Sequence, residues 1–427
     1  MIDYQSKLFA KTIKEFPKDE EAINAKLLIR AGFIAKQMAG VFTLLPFGLK
    51  VVNKINKIIR EELDAVGCQE LFMPAFQSKD LWEKTGRWDT DNQVMYQMKD
   101  RSGKEIGLGY THEEVITEMA TKYIQSYKDL PKAVYQIQTK FRDEPRAKSG
   151  MLRGKEFLMK DLYSFHANKK DRDEYYEKIK EVYKKIFKRI GIEALVTSAS
   201  GGTFSKYSHE FQTISESGED TIFVCNQCQS AINNEIIDEY GKKCKDCNLK
   251  LNQKNAIEVG NIFKLGTKFS EALGLCVADA TGNIKPVEMA SYGIGPTRVM
   301  GTIVEVNHDD KGIIWTKETA PYDCHLIQTR NSKSEIRNKF KSQNIQSKTE
   351  NIIELLEKAG LDVLVDEREG VSIGEKLADA DLIGIPYQII LGEKTDEGEI
   401  EIKDRKSVQS KIVKIEKIVD VFCPQIY

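Results

Sequence analysis

The stretch Gln138–Asp161, QTKFRDEPRAKSGMLRGKEFLMKD, decides how the rest of the chain is read. It holds three arginines and four lysines among acids, yet alternation marks both of its ends. On the way in, Tyr135, Ile137, Thr139 and Phe141 fall on one side of an extended chain, and Gln136, Gln138, Lys140 and Arg142 on the other. On the way out, Phe157, Met159, Asp161 and Tyr163 share a face with the same period. The segment between them is rich in turn formers and carries Arg146, Lys148 and Arg153. Two antiparallel strands joined by a long cationic loop is the economical reading. Arginine grips phosphate through two parallel charge-assisted hydrogen bonds. An aromatic ring such as Phe157 can stack a purine, and a carboxylate such as Glu144 can accept from its exocyclic amine. The residues therefore suit a nucleotide clamp; taken by themselves they also suit a charged hairpin tip with Phe157 in the core.

At 427 residues the chain is too long for one ordinary core, and two or three domains are expected. Its 41% hydrophobic content is ordinary for a globular protein. No run of apolar residues is long enough to span a bilayer. The segment MIDYQSKLFAKTIKEF lacks the apolar core of a signal peptide, so a cytoplasmic location is expected. The formal net charge is −1, so any contact with nucleic acid must come from local patches. The basic run 168–189 has helical spacing and mixed charge, which reads as a solvated helix face.

Of the eight cysteines, Cys68, Cys276, Cys324 and Cys423 stand alone. Cys225 and Cys228, then Cys244 and Cys247, form two CxxC pairs with fifteen residues between them. That is the spacing of a tetrahedral zinc site. Four thiolates leave no position for water, so such a zinc would be structural; a redox dithiol is the alternative.

Working outward, 46–67 reads as a helix from Pro46 to Gly67, with Leu49, Val52, Ile55, Ile59 and Leu63 as its apolar stripe. A short strand follows, stopped by Pro74. A second helix is expected over 111–127, with Thr111 as N-cap and Glu114 completing a capping box. SYGIGPTRVMGTIVEV is a glycine turn entering a helix, which puts Arg298 near a terminus that favours anions. It lacks the third glycine of a dinucleotide fingerprint. Beyond residue 322, short apolar runs alternate with helical stretches, the rhythm of a separate α/β domain.

These landmarks together resemble the bacterial type of prolyl-tRNA synthetase. The resemblance rests on LLIRAGFIAKQMAGVFTLLPFGLKVVNKI, LWEKTGRW, THEEVIT, SYKDLPKAVYQIQTKFRDEPR, GKEFLMKDLYSFH, SHEFQ, GNIFKLGTKFSEALG, YGIGPTR and DEREGVSIGEKLADADLIGIP. It implies an α+β catalytic domain with the antiparallel sheet of the class II synthetase fold over 1–219 and 258–318. A small zinc-ribbon-like insertion would occupy 220–257, and an α/β anticodon-binding domain 319–427. Helix 46–67 would be the dimer-forming motif 1, the opening stretch motif 2, and GIGPTR motif 3.

By resemblance, Arg142 and Arg298 are catalytic, and ATP is bound by Arg142, Glu144, Arg153, Phe157 and Arg298. Proline would meet Thr111, Glu113, Arg142, His209 and Ser291, and tRNA(Pro) would meet Glu401, Lys403 and Arg405. The implied reaction activates proline with ATP and Mg²⁺, then moves the prolyl group to the 3′ end of tRNA, in a homodimer with no membrane contact. The chain departs from the family's usual pattern with Tyr110 in place of proline, Asn261 of histidine and Ser291 of cysteine. The long editing domain of many bacterial members is replaced by the cysteine segment. Three rival readings stand beside this one. They are a class II synthetase for threonine or glycine, a non-catalytic tRNA-binding paralogue, and a zinc-ribbon nucleic-acid-binding protein.

Overall fold

The computed structural model describes residues 1–90, 94–145, 147, 149–202, 204–329, 339–392 and 398–422, with 339–346 by backbone alone. Arg146, Lys148 and Cys423 lie outside the described residues. The chain divides into two units. One comprises Lys36–Phe42 and Ile55–Glu305, the other Met1–Ala35, Thr43–Lys54 and Val306–Tyr427.

The first unit is built on a nine-stranded, largely antiparallel sheet. Its order is Tyr207–Ile214, Leu195–Ser200, Ala231–Asn233, Asp220–Val224, Asn252–Gly266, Glu288–Ile294, Glu156–His166, Lys132–Phe141 and Gln69–Glu70. Tyr207–Ile214 also pairs with Asn252–Gly266, so the first five strands close on themselves. The hairpin expected from alternation is present, in register from Lys132 opposite Phe165 to Phe141 opposite Glu156.

Helix Lys169–Ile190 covers one face of the sheet. Asn168 starts it, its side chain accepting from the Asp171 amide at 3.0 Å, and Gly191 ends it with φ +87°. The charged face expected of this segment is the solvent side; Tyr176, Ile179, Tyr183, Ile186 and Phe187 are buried. Tyr183 and Phe187 meet Phe211 with ring centres 5.1 and 5.4 Å apart. Each such side chain is worth about 1.5–3 kcal/mol of burial, which fixes the helix to this face and leaves the opposite one for chemistry.

Three elements differ from expectation. The helix expected over 111–127 runs Glu113–Tyr123, and its N-cap is His112, with no side-chain cap bond. Thr111 is drawn instead to the Glu113 carboxylate, and Glu114 to Arg87 and Thr85, both 2.9 Å away. The strand before Pro74 shortens to Gln69–Glu70. The boundary placed at 257/258 falls inside one continuous strand of 15 residues, Asn252–Gly266.

The second unit carries a six-stranded sheet in the order Ile2–Tyr4, Val363–Asp366, Cys324–Gln328, Tyr387–Leu391, Glu399–Asp404 and Ser410–Lys414. The α/β rhythm of the sequence appears as parallel pairing among the first four strands, with helices Lys339–Lys358 and Ile373–Ile383 between them in the chain. Residues 2–4 pair in parallel with 363–365 and so belong to this sheet.

Candidate active site

In an antiparallel sheet, residues directly opposite one another project to the same side. One row therefore reads Gln136, Asp161, Gly293, Asn261 and Glu210 across four paired strands and the strand beyond. The neighbouring row, Tyr135, Leu162, Tyr292, Ile262 and His209, faces helix Lys169–Ile190. The polar face of the hairpin continues through Gln138 and Lys140 to Arg142.

On that face lies a solvent-open cleft of about 730 Å³, lined by Arg142, Glu144, Arg153, Phe157, Glu258 and Arg298 together with bare glycine backbone. The two arginines expected to converge, one from the hairpin and one from helix Pro296–Val306, line this same cleft. The Arg142 guanidinium lies 5.3 Å from the Phe157 ring centre. The Nε atoms of Arg142 and Arg298 are buried without a hydrogen-bond acceptor among the described residues. Arg153 reaches toward Glu219 at 3.4 Å and Glu144 at 4.0 Å. At Gly293 an added Cβ would fall 2.8 Å from Asn261 Oδ1, so only glycine keeps this part of the floor flat.

Two acids stand at the far side, Glu258 in the cleft lining and Glu210 on the next strand, opposite the lining residue Asn261. Burial raises the pKa of Glu258, opposed by the charges of Arg298 and Arg142. Burial and then the Glu258 charge push Glu210 up to about 8. Glu210 accepts from Gln212 and Asn233, each at 2.9 Å, and Glu258 accepts from Asn261 at 2.8 Å. Neither acid was picked out from the sequence. Glu258 stands between Ile257 and Val259 in an apolar strand, and an acid in such a run was the available signal.

Next to Arg142 is a fully buried polar floor. Lys140 Nζ lies 2.8 Å from both Asp161 Oδ1 and His112 Nδ1, and His112 Nε2 donates to the Pro74 carbonyl at 3.1 Å. Burial, reinforced by the Lys140 charge, holds the His112 pKa down at about 4, so the ring is neutral. Tyr163 and Gln136 both donate to Asp161 Oδ2. Thr111 and Glu113 are buried against this floor, and the charge of Glu113 acts on Arg142. Beneath them Arg87 pairs with Glu114 at 2.9 Å and donates to Tyr110 at 2.5 Å. Tyr110 thus has a structural partner at the position where the family pattern has proline. Ser291 is buried and lies opposite Tyr163 on the cleft face of its strand.

His209 is not brought to this site. Its parity places it on the helix side, where it bonds to Tyr176 at 2.8 Å. Arg405 is likewise not free to read a base, which corrects the expectation. It is buried, donates to both oxygens of Asp309 at 2.8 and 2.6 Å, and its Nε donates to the Asp381 carbonyl. Lys403 is held by Asp381 at 2.7 Å, and Glu401 sits half-buried on a strand that is second from the sheet edge.

The four cysteine sulfurs of 225, 228, 244 and 247 lie within 4.8 Å of one another. The two CxxC turns are built alike. The residue after each pair, Gln229 or Asn248, has positive φ, and its amide donates back to the carbonyl of Cys225 or Cys244 at 2.9 Å. Backbone amides of Cys228 and Gln227 pull the Cys225 thiol down to about 7, which favours thiolate. The group is compatible with a zinc site. Among the described residues no helix is long and apolar enough to cross a membrane.

This antiparallel sheet and its cleft are those of a class II aminoacyl-tRNA synthetase core. The family described as tRNA synthetase class II core domain (G, H, P, S and T) matches residues 96–307, and the anticodon binding domain matches 332–423. A prolyl-tRNA synthetase of Giardia lamblia, solved in complex with prolyl-adenylate, shares the fold with a TM-score of 0.78 at 19% identity, covering 92% of this chain and 74% of that one. A proline–tRNA ligase of Sulfurimonas denitrificans is 40% identical over 426 residues, 95% of this chain and 96% of the relative. One from Zymomonas mobilis is 38% identical over 437 residues, 96% of each. The chain belongs to the proline–tRNA ligase family.

Proposed function

We propose that this chain is a proline–tRNA ligase that makes prolyl-adenylate and then charges tRNA(Pro). The observation that carries the reading is the convergence of Arg142 and Arg298, each with a buried donor that has no partner among the described residues, on one glycine-floored cleft. A proline carboxylate oxygen bonds to the α-phosphorus of ATP as pyrophosphate leaves. A terminal ribose hydroxyl of the tRNA then attacks the prolyl carbonyl, and AMP departs. No protein nucleophile is needed, so the rate comes from alignment and charge stabilisation.

Arg142 holds the α-phosphate beside the carboxylate, and Glu144 accepts from the adenine amine. Phe157 and Arg298 enclose the base, and Arg298 and Arg153 meet the outer phosphates. Thr111, Glu113 and the buried floor under them take the prolyl ammonium, with Ser291 on the adjoining strand. Mg²⁺ carried with ATP supplies further neutralisation of phosphate charge. Glu258 in the cleft lining and Glu210 on the next strand, opposite Asn261, are hard oxygen donors that fit that ion. Cys225, Cys228, Cys244 and Cys247 would hold a structural zinc. Exposed Phe72 and Phe76, at 74% and 62%, support a homodimer.

Proline-dependent exchange of pyrophosphate into ATP tests the reading directly. Exchange driven by threonine or glycine would instead assign another amino acid, and no exchange with any amino acid would leave a tRNA-binding paralogue.

A further inference from the structure

Three strands tie the cysteine cluster to the acidic end of the cleft. Asp220–Val224 runs straight into Cys225. Ala231–Asn233 leaves the turn that follows Cys228. Asn252–Gly266 begins just beyond Cys247 and reaches the cleft at Glu258 and Asn261. Their other ends hold the acids. Asn233 Nδ2 donates to Glu210 Oε2 at 2.9 Å, and Gln212 Nε2 bridges Glu210 and Asp220, 2.9 Å from each. Val224 is in register with both Ala231 and Asn252, so the strands leave the cysteines as one ladder.

The core beneath the module is small. Its buried members are Ile232, Ile236, Ile237 and Leu251, joined by Cys225 and Cys244 themselves. A core of this size does not hold a fold unaided, and small modules of this kind take their folding energy from the metal.

We propose that metal held by the four cysteines positions Glu210 and Glu258, so that occupancy of the cysteine site sets how well the cleft engages the Mg²⁺ of its nucleotide. The proposal rests on the readings that the cysteines take zinc and the cleft takes ATP with Mg²⁺. Asn233 is the positioning residue that passes the effect from one turn to Glu210. The thiols take no part in the chemistry.

The test uses the full-length protein in three forms: zinc-loaded, stripped by a chelator, and Asn233→Ala with zinc retained. Zinc content is measured first. For each form, half-saturating Mg²⁺ for proline-dependent pyrophosphate exchange is then found, with the KM for proline beside it. Amide hydrogen exchange is followed over 207–214 and 252–261. Stripping should raise the Mg²⁺ requirement about tenfold, the size of one lost hydrogen bond to a charged group. The KM for proline should stay within about twofold, protection of both segments should fall, and zinc should restore all three. Asn233→Ala should reproduce the Mg²⁺ shift with zinc still bound, which keeps the test alive should the stripped protein unfold. Unchanged Mg²⁺ dependence in the Asn233→Ala variant, or in a folded stripped protein, overturns the coupling and leaves the zinc reading standing. A protein that neither carries nor takes up zinc overturns both.

Discussion

Arg142 and Phe157 face each other across the mouth of the hairpin, guanidinium to ring centre 5.3 Å, with the Arg142 amide bonded to the Lys155 carbonyl at 2.8 Å. The backbone bond closes the loop, so the position of the charge is set before any ligand arrives. Removing that charge should cost transition-state stabilisation rather than fold. Arg142→Ala should lower proline-dependent exchange about 10²–10³-fold, as loss of a preorganised donor does. Thermal unfolding should remain near that of the wild type. Activity within threefold of wild type would remove Arg142 from the role assigned to it.

Lys140 and Asp161 form an ion pair that is almost wholly buried, 2.8 Å apart. Breaking such a pair leaves one uncompensated charge in the interior, at a cost of about 3–5 kcal/mol. Lys140→Met should therefore destabilise the catalytic unit by that order in chemical denaturation. Lys140→Met combined with Asp161→Leu should recover part of the loss, because the orphaned carboxylate is gone. A single variant as stable as wild type would show that the pair contributes nothing.

His325 carries a pH dependence in the second unit. Its Nε2 bonds to Gln5 at 2.9 Å, its Nδ1 is buried without a partner among the described residues, and burial pushes its pKa down to about 4. Between pH 6.5 and 4 the unfolded chain takes up a proton that the folded one refuses. The contribution is thus complete above pH 6.5 and is lost as pH falls toward 4, by up to about 1.4 kcal/mol per pH unit. The stability difference between wild type and His325→Gln should change over that window and stay flat above it. A difference that is flat throughout would mean the imidazole does not titrate this way.

Arg405 and Asp309 give a fourth measurement. Arg405→Ala removes both guanidinium donors of Asp309, leaving it the Lys311 and Gly312 amides, and should destabilise the second unit by roughly 3 kcal/mol. Since Asp309 keeps some contact with water, the lower end of the usual range applies. Variants that fold should bind tRNA nearly as before. A stable Arg405→Ala protein with weakened tRNA affinity would return this arginine to the RNA surface.

Local periodicity carried much of the fold. The alternation through Gln136, Gln138, Lys140 and Arg142 is visible because one face of the strand is polar and the other apolar, and the register bears it out. The glycine turn before Arg298 was legible for a similar reason, since glycine has few other uses between a strand and a helix. What stayed hidden was parity and long-range pairing. Ser208, His209 and Glu210 are adjacent, and only the partner strand shows that His209 turns to the helix while Glu210 turns to Asn261. A charged residue in a strand looks the same exposed or buried; the partner of Arg405 lies 96 residues away. Thr111 looked like a cap because Glu114 stands where a capping box places its acid, whereas the hydroxyl goes to the Glu113 side chain between them.

The pairing of residues 2–4 with 363–365 has a consequence for synthesis. The ribosome makes residues 2–4 first and must add hundreds of residues before their neighbour in that ladder exists. During that interval a short apolar segment is tethered to a growing chain with nothing to bind. Contacts so distant in sequence are slow to close and prone to wrong partners. Completion of this sheet therefore waits until residues 363–365 and the strands that follow them in the ladder have emerged.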